Sequence, residues 1–362
     1  MQHPETYIEI NFKALENNIA VIKKHARGKN IQGVVKANAY GHGDLEIAKA
    51  LEKIGIKSLG TARVNEGVRL REGGVTSELL ILGGAEENEF ETLTNYNLKP
   101  VVYSQAMAEK FNKYLSFRNI KHPVHVKFDT GMHRLGIHFT DDISFMKKLK
   151  SMSNLEIEGL MSHMSAAGAK ESEWNNSQSE RFKTILTDWK KEFSGLPKYI
   201  HLENSAGFFN FNFDFVNTAR LGVAIYGYGH DELEPVLRLY SFIKDIKKVK
   251  KGETVSYGGW FKAQNDMTVG IVPVGYGDGF MRANKKGSVL IQGKQAPIIS
   301  TICMDHFMVD MSGINGVNTG DRVTIIGEDH PAGYWAQTSG SIVYEVTTLL
   351  NPRIRRTYNG SN

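Results

Sequence analysis

The sequence predicts an α/β fold: a parallel (β/α)8, TIM-type barrel over residues 13–233, followed by a C-terminal mostly-β domain over residues 234–362. Three observations carry that prediction. Eight short apolar runs alternate with helix-like segments between residues 31 and 220, the rhythm that a (β/α)8 barrel requires. The first run ends in a lysine, where a doubly wound open sheet would want a glycine-rich phosphate fingerprint. Near Glu234 the rhythm changes to short alternating segments with Gly and Asp turns.

The chain opens with YIEINFKALENNIAVIKKHA, a strand and then a helix. That strand, within residues 1–12, precedes the first barrel helix and is placed to pair with the distant β domain instead. The barrel runs follow as IQGVVKA, SLGTA, ELLILG, PVVY, PVHVKFD, LEIEGLMSH, YIHLEN and VNTAR. Between them lie helix-like segments such as ARVNEGVRLREG, QAMAEKFNKYLSF and WNNSQSERFKTILTDWKKEF. Beyond Glu234 come LRLYSFIKDIKKV, TVSYGGWFKA, MTVGIVPVGYGDG, SVLIQGKQAPIIS, FMVDM and DRVTIIG, an all-β pattern with one short helix around YWAQTSG.

A chain of 362 residues is long enough for two domains with real cores. Net charge is 44 − 39 = +5, mild for this length. The one basic cluster, KDIKKVKK, alternates with apolar residues like a strand with one solvated face, and PRIRR is no stronger a signal. Without aromatic interleaving, neither points to a nucleic-acid partner. The single cysteine, Cys303, excludes an internal disulfide and fits a reducing compartment. The N-terminus lacks the pattern of a signal peptide, and no run approaches the roughly 20 apolar residues of a membrane span. A cytoplasmic protein without a membrane partner is expected.

In such a barrel the functional site forms at the C-terminal ends of the strands. The polar residues just past the runs are Lys36; Lys127, Asp129 and Arg134; His163; Asn204 and Ser205; and Arg220. Five strand ends thus bring basic and hydrogen-bonding groups to one mouth, a cationic site for an anionic ligand. Singly, each has a bland reading: a surface lysine, a structural histidine, arginines paired with acids on the rim. Lys36 carries more, because burial disfavours its ammonium form and a lysine with a depressed pKa is a ready amine nucleophile. Tyr40 and two glycines then sit where strand meets helix, open backbone able to receive a phosphate. Cys303 and His306 suggest a thiol–imidazole pair, but a cysteine inside an alternating strand reads as a small core residue.

The string VVKANAYGHG, Val34 to Gly43, resembles the lysine motif of the alanine racemases. KFDTGMHRLG, GLMSHMS, HLENSA, ARLGVAIYG, VSYGGWFKA, VGYGDG, ICMDHFMVD and IVYEV look like further motifs of that family, in the family's order and across nearly the whole chain. The resemblance implies a barrel holding pyridoxal 5'-phosphate, interconversion of L- and D-alanine that supplies D-alanine for peptidoglycan, and a homodimer with shared active sites. Lys36 should then hold the cofactor as a Schiff base and act as one acid/base. Tyr257 should be the opposite base, reaching in from the partner subunit. Racemisation needs two such groups, since a proton leaves one face of Cα and returns to the other, and a phenol in that role must titrate well below about 10.

By the same resemblance, His163 and Arg220 form a relay behind the cofactor, and Asn204 also belongs to the cofactor-binding set. An arginine facing the pyridine nitrogen keeps that nitrogen unprotonated, which weakens the electron sink and suppresses side reactions. The phosphate falls to the hydroxyls of Tyr40, Ser205 and Tyr344 and to backbone N–H groups at Gly222 and Val223. Arg134 should reach the cofactor's phenolic oxygen and the substrate carboxylate, with the Met304 N–H on the same carboxylate. Lys127 matches a position carbamylated in some members. Tyr276 lines the substrate entrance or packs under a turn, and no metal ligand set is implied. Two departures stand out: GGWF after Tyr257, and Glu203 before Asn204. Both lie near the expected substrate gate, which leaves broader-specificity, serine or lysine racemases as alternatives. A metal-dependent hydrolase barrel would want His-x-His where Lys36 stands, and a non-catalytic carrier would have no use for Tyr257.

Overall fold

The computed structural model describes residues 5–360, so residues 1–4 and 361–362 of the two expected domains lie outside the described residues. Eight parallel strands follow in order: β1 (Asn30–Val34), β2 (Ser58–Thr61), β3 (Glu78–Ile81), β4 (Leu98–Val102), β5 (His122–Asp129), β6 (Leu155–Met161), β7 (Tyr199–His201) and β8 (Thr218–Leu221). Each pairs with the next, and β8 returns to β1 with Thr218 beside Asn30 and Leu221 beside Gly33. The barrel is therefore closed, as expected. Strands covered on both faces must be apolar nearly throughout, and β4 and β8 are buried at every position. β4 begins two residues before the expected run PVVY. Lys99 hid that start from a hydropathy reading, and its ammonium is matched by Glu158 at 2.5 Å and Glu78 at 3.2 Å.

The helices between strands obey local rules. Gln105–Arg118 starts where the Ser104 hydroxyl accepts the Met107 N–H at 3.2 Å and stops at Asn119 in the left-handed region. Glu173–Phe193 buries Phe182, Ile185, Leu186 and Trp189, a stripe at helical spacing.

The chain divides into two compact units. Among the described residues, the barrel unit comprises 17–39 and 44–233, and the second unit comprises 5–16, Tyr40–Gly43 and 234–360. The second unit is built on a nine-stranded sheet in which Tyr7–Asn11 lies between Leu237–Phe242, antiparallel, and Arg355–Asn359, parallel. The first strand of the chain thus pairs away from the barrel. The expected helix appears as Ala332–Ser339, and a second, Val343–Thr348, takes up the IVYEV segment. Among the described residues no helix is long and apolar enough to cross a membrane.

Candidate active site

Lys36 leaves the barrel at the end of β1, where Val35 N–H still donates to Gly60 O at 2.9 Å. The chain then does something its composition conceals. Ala37, Asn38, Ala39 and Tyr40 take φ angles of 52°, 55°, 52° and 53°, a left-handed turn built without glycine. Such a turn costs L-residues about 1–2 kcal/mol each, so the surroundings must impose it. Ala39 N–H reaches back to Val35 O at 2.9 Å, and Glu66 Oε1 accepts the Ala37 N–H at 2.7 Å. Asn38 Oδ1 accepts the Asp44 N–H at 3.2 Å, and the Tyr226 hydroxyl donates to Val34 O at 3.0 Å. Where an open glycine-flanked loop was expected, the lysine stands before a braced, strained turn.

The electrostatics disfavour the charged forms of both lysines. Burial lowers the Lys36 pKa, Arg134 lowers it further, and Glu66 acts against both. Lys127, buried on β5, is pushed down to about 8 by burial, then by Arg220 and Arg134, with Asp129 opposing. Asp129 Oδ1 accepts the N–H groups of Gly131 at 2.8 Å and His133 at 3.1 Å, which shapes the loop that presents the exposed Arg134. Lys36, Lys127, Arg134 and Arg220 therefore form one mutually repelling cationic cluster.

Arg220, buried on β8, donates through Nη2 to Ser162 O at 2.6 Å and to His163 Nδ1 at 3.1 Å. Burial pulls its pKa down to about 10 while Glu203 works against the shift. Its Nη1 is buried with no hydrogen-bond partner, so one donor edge is held for an acceptor the chain does not supply. Burial, then the Arg220 and Lys127 charges, hold the His163 imidazole well below its ordinary range, so Nδ1 is an acceptor. Asn204 Nδ2 lies 3.5 Å from His163 Nε2, and its Oδ1 accepts the Gly207 N–H at 2.9 Å as the cap of helix Ser205–Asn210. Ser205 Oγ accepts N–H groups from Gly222 at 3.1 Å and Ala224 at 3.4 Å. A hydroxyl that already accepts twice keeps its own proton to donate. The Gly222 N–H is engaged inside the chain, whereas the sequence reading had left it open to a phosphate.

The remaining expected residues belong to the second unit. Tyr40 has its phenol raised to about 12 by burial and then by Tyr344, whose own phenol burial also raises. Both stay neutral donors. Tyr257 is 74% exposed on a short turn entered through Ser256, whose φ of 68° is stabilised by its hydroxyl donating to Thr301 O at 3.2 Å. Met304, 53% exposed, sits on a turn closed by Cys303 N–H to His306 O at 2.8 Å. That turn docks through Tyr276 N–H to Cys303 O at 3.0 Å and Gly277 N–H to Met304 O at 2.9 Å. A Cβ at Gly275 would lie 2.2 Å from Met304 O, so only glycine admits the approach. Cys303 thus lies in a turn, not in the strand expected of it, because the alternating strand of ICMDHFMVD starts only at Phe307.

Two participants escaped the sequence reading. Glu66 is the third residue of helix Val64–Glu72, and its Oε2 accepts the Ala62 N–H at 2.7 Å and the Arg63 N–H at 3.0 Å. An acid at the third position of a helix was the available signal. The other is Lys29, whose Nζ lies 2.5 Å from Oε1 of Glu203, so that the residue expected near the substrate gate is wholly buried in an ion pair. Chemically, the barrel mouth offers a deprotonatable amine, a cationic field for phosphate and carboxylate, and an unsatisfied guanidinium N–H.

Comparison with known proteins gives a consistent result. Residues 10–230 match the family description "Alanine racemase, N-terminal domain", and residues 236–358 match "Alanine racemase, C-terminal domain". An alanine racemase of Thermodesulfovibrio yellowstonii is 37% identical over 362 residues, covering 97% of this chain and 96% of that protein. The solved alanine racemase of Clostridium difficile superposes with a TM-score of 0.91 at 34% identity, covering 99% of this chain and 96% of that one. The Bartonella henselae alanine racemase, solved with covalently bound pyridoxal phosphate, superposes at 0.90 with 26% identity, covering 98% and 99%.

Proposed function

This chain belongs to the alanine racemase family, and from that premise we propose that it interconverts L- and D-alanine with pyridoxal 5'-phosphate held on Lys36. The observation that carries the reading is the Lys36 amine itself, at a strand end, with its pKa lowered by burial and Arg134. The donor set fits the cofactor. The unpartnered Arg220 Nη1 suits a ring nitrogen, the Ser205 proton left to donate suits a phosphate, and the four-cation cluster suits two anionic groups.

Bound pyridoxal phosphate supplies an electron sink that acidifies the substrate Cα–H. The chain's residues do the rest. The Lys36 amine takes up and returns the Cα proton on one face; Tyr257 of the partner subunit does so on the other. Arg134 and the Met304 N–H hold the substrate carboxylate. Arg220, kept charged by Glu203 and oriented by Ser162 O and His163 Nδ1, would deny the ring nitrogen a proton. Ser205, held by the Gly222 N–H on its Oγ, and the Val223 N–H take the phosphate, and Tyr40 and Tyr344, neutral donors both, are carried over to it by resemblance. Lys127, with a pKa of about 8, has enough neutral amine near pH 7 to react with carbon dioxide, and the resulting carbamate would give the neighbouring arginines an anionic partner.

Purified protein supplied with cofactor should bring pure L-alanine and pure D-alanine to the same equal mixture, read by chiral chromatography. No D-alanine despite bound cofactor would sink the alanine assignment and turn attention to serine and lysine. The shared site has its own test. Mixed Lys36→Ala and Tyr257→Phe subunits should recover about a quarter of the sites, because half the dimers are mixed and each has one intact site. A monomer in sedimentation, or no recovery, would remove the partner's tyrosine from the mechanism. We also propose that the product serves peptidoglycan synthesis.

A further inference from the structure

We propose that His25, His230 and Glu232 form a binding site for a zinc-class divalent ion that clasps the closing seam of the barrel. His25 is the last residue of helix Phe12–His25, which precedes β1, and His230 and Glu232 follow β8. β1 and β8 are the two strands whose pairing closes the barrel. The three residues therefore meet across the join between the barrel's beginning and its end.

The geometry is close to a coordination sphere. His25 Nε2 lies 2.9 Å from Glu232 Oε1, and His230 Nδ1, which accepts the Glu232 N–H at 3.3 Å until an ion replaces it, lies 4.0 Å from the same oxygen. One ligand atom from each residue falls within 4.8 Å of the other two. A tetrahedral ion with bonds of about 2.0–2.1 Å holds its ligand atoms about 3.3 Å apart, so the cluster needs movements on the order of 1 Å. Packing already sets the rings. His230 stacks on Phe209 with centroids 4.2 Å apart and planes 21° apart, while His25 meets His230 edge-on at 5.2 Å. Both histidine side chains keep about a third or less of their surface accessible, 31% and 28%, so the ion has an entry path. Lys24 Nζ sits 3.5 Å from Glu232 Oε2, but its side chain is 74% exposed and can turn to solvent.

Two imidazoles and one carboxylate select a zinc-class ion over calcium or magnesium, which want oxygen ligands. Water would complete the sphere. His25 and His230 are 230 − 25 = 205 positions apart, and a cross-link that closes so long a loop acts on the unfolded chain more than a short one does. Because the ligands come together only in the folded barrel, binding is linked to folding. None of the three is among the residues assigned to cofactor or substrate, so the ion has a structural role.

The full-length protein, stripped with chelator, is titrated with zinc by calorimetry and followed by thermal unfolding. Cobalt(II) then reports four-coordinate N/O ligation in its visible spectrum. The expected result is one saturable equivalent per chain and a Tm that rises with zinc. In Glu232→Gln and His230→Ala, Kd should weaken at least tenfold and the Tm rise should vanish, with circular dichroism unchanged. Glu232 is exposed enough for the first variant to fold. No saturable equivalent, or binding equally tight in the variants, would overturn the proposal.

Discussion

The two units carry their shares of the candidate site in opposite states. On the barrel, Lys127, Ser205 and Arg220 are buried, Arg220 Nη2 donates to Ser162 O, Ser205 Oγ accepts the Gly222 N–H, and the Lys127 pKa is lowered by burial and then by Arg220. On the second unit, Tyr257, Met304 and Tyr344 are 74%, 53% and 42% exposed. The buried part of the barrel half is held by hydrogen bonds of its own chain and shielded from water, which is where electrostatic catalysis has most effect. The exposed half lies on a unit that also displays Trp260 at 83% and Ile342 at 58%. The contrast supports reading the second base as one delivered to another copy of the chain.

Lys36→Ala is the severest break of the barrel half. Racemisation should fall by at least about 10³-fold, since in the proposed reading the residue both holds the cofactor and moves the proton. The visible absorbance of lysine-bound cofactor should disappear while the circular dichroism stays native. A variant that keeps that absorbance, or that racemises at more than a few per cent of wild type, would remove Lys36 from the centre of the site.

Tyr257→Phe attacks the exposed half and should cost less, about 10²–10⁴-fold, the range of a single acid/base. Its signature is asymmetry. With Lys36 intact, one enantiomer should still exchange its Cα hydrogen with solvent deuterium, and the other should not. Equal loss of both exchanges, or none, would mean that Tyr257 is not the opposite base. Cofactor absorbance should be unaffected, which separates this outcome from that of Lys36→Ala.

Most of the barrel half could be read from the chain because of one physical regularity. Parallel strands are apolar, so the first polar residue after each run marks a strand end, and a closed barrel brings those ends together. Lys36, His163 and Asn204 were legible on that ground, just past strand ends, whereas Lys127 and Arg220 lie inside β5 and β8. What escaped depends on tertiary context. Nothing in KANAY announces four left-handed residues, because the conformation is imposed by Glu66, Asn38 and Tyr226 and not by glycine. Lys29 and Glu203 are 174 positions apart, so only the fold shows that a fully buried carboxylate is matched. Cys303 was placed in a strand because alternation was read through a turn.

The smallest effect expected is on stability in acid, and it tests whether the two units differ beyond their chemistry. In the barrel, His125 is pushed down to about 3 by burial, then by Lys99 and Arg220. His201, wholly buried with neither ring nitrogen hydrogen-bonded, is held well below its ordinary range by burial, then by His125 and Arg220. A histidine whose folded pKa lies below its unfolded value of about 6.5 binds its proton only on unfolding. Stability is then intact above pH 6.5 and is lost as pH falls from there toward 3, by one extra proton per such ring. Tryptophans can follow each unit separately, since Trp174 and Trp189 lie in the barrel and Trp260 and Trp335 in the second unit. In single-reporter variants, the Trp189 fluorescence should change at a higher pH than that of Trp335. His201→Leu should reduce the pH slope of barrel stability by about one proton, leaving neutral-pH stability nearly unchanged, because no hydrogen bond is removed with the ring. Coincident transitions for both tryptophans would show that the units unfold as one, and the contrast between them would then be confined to the site.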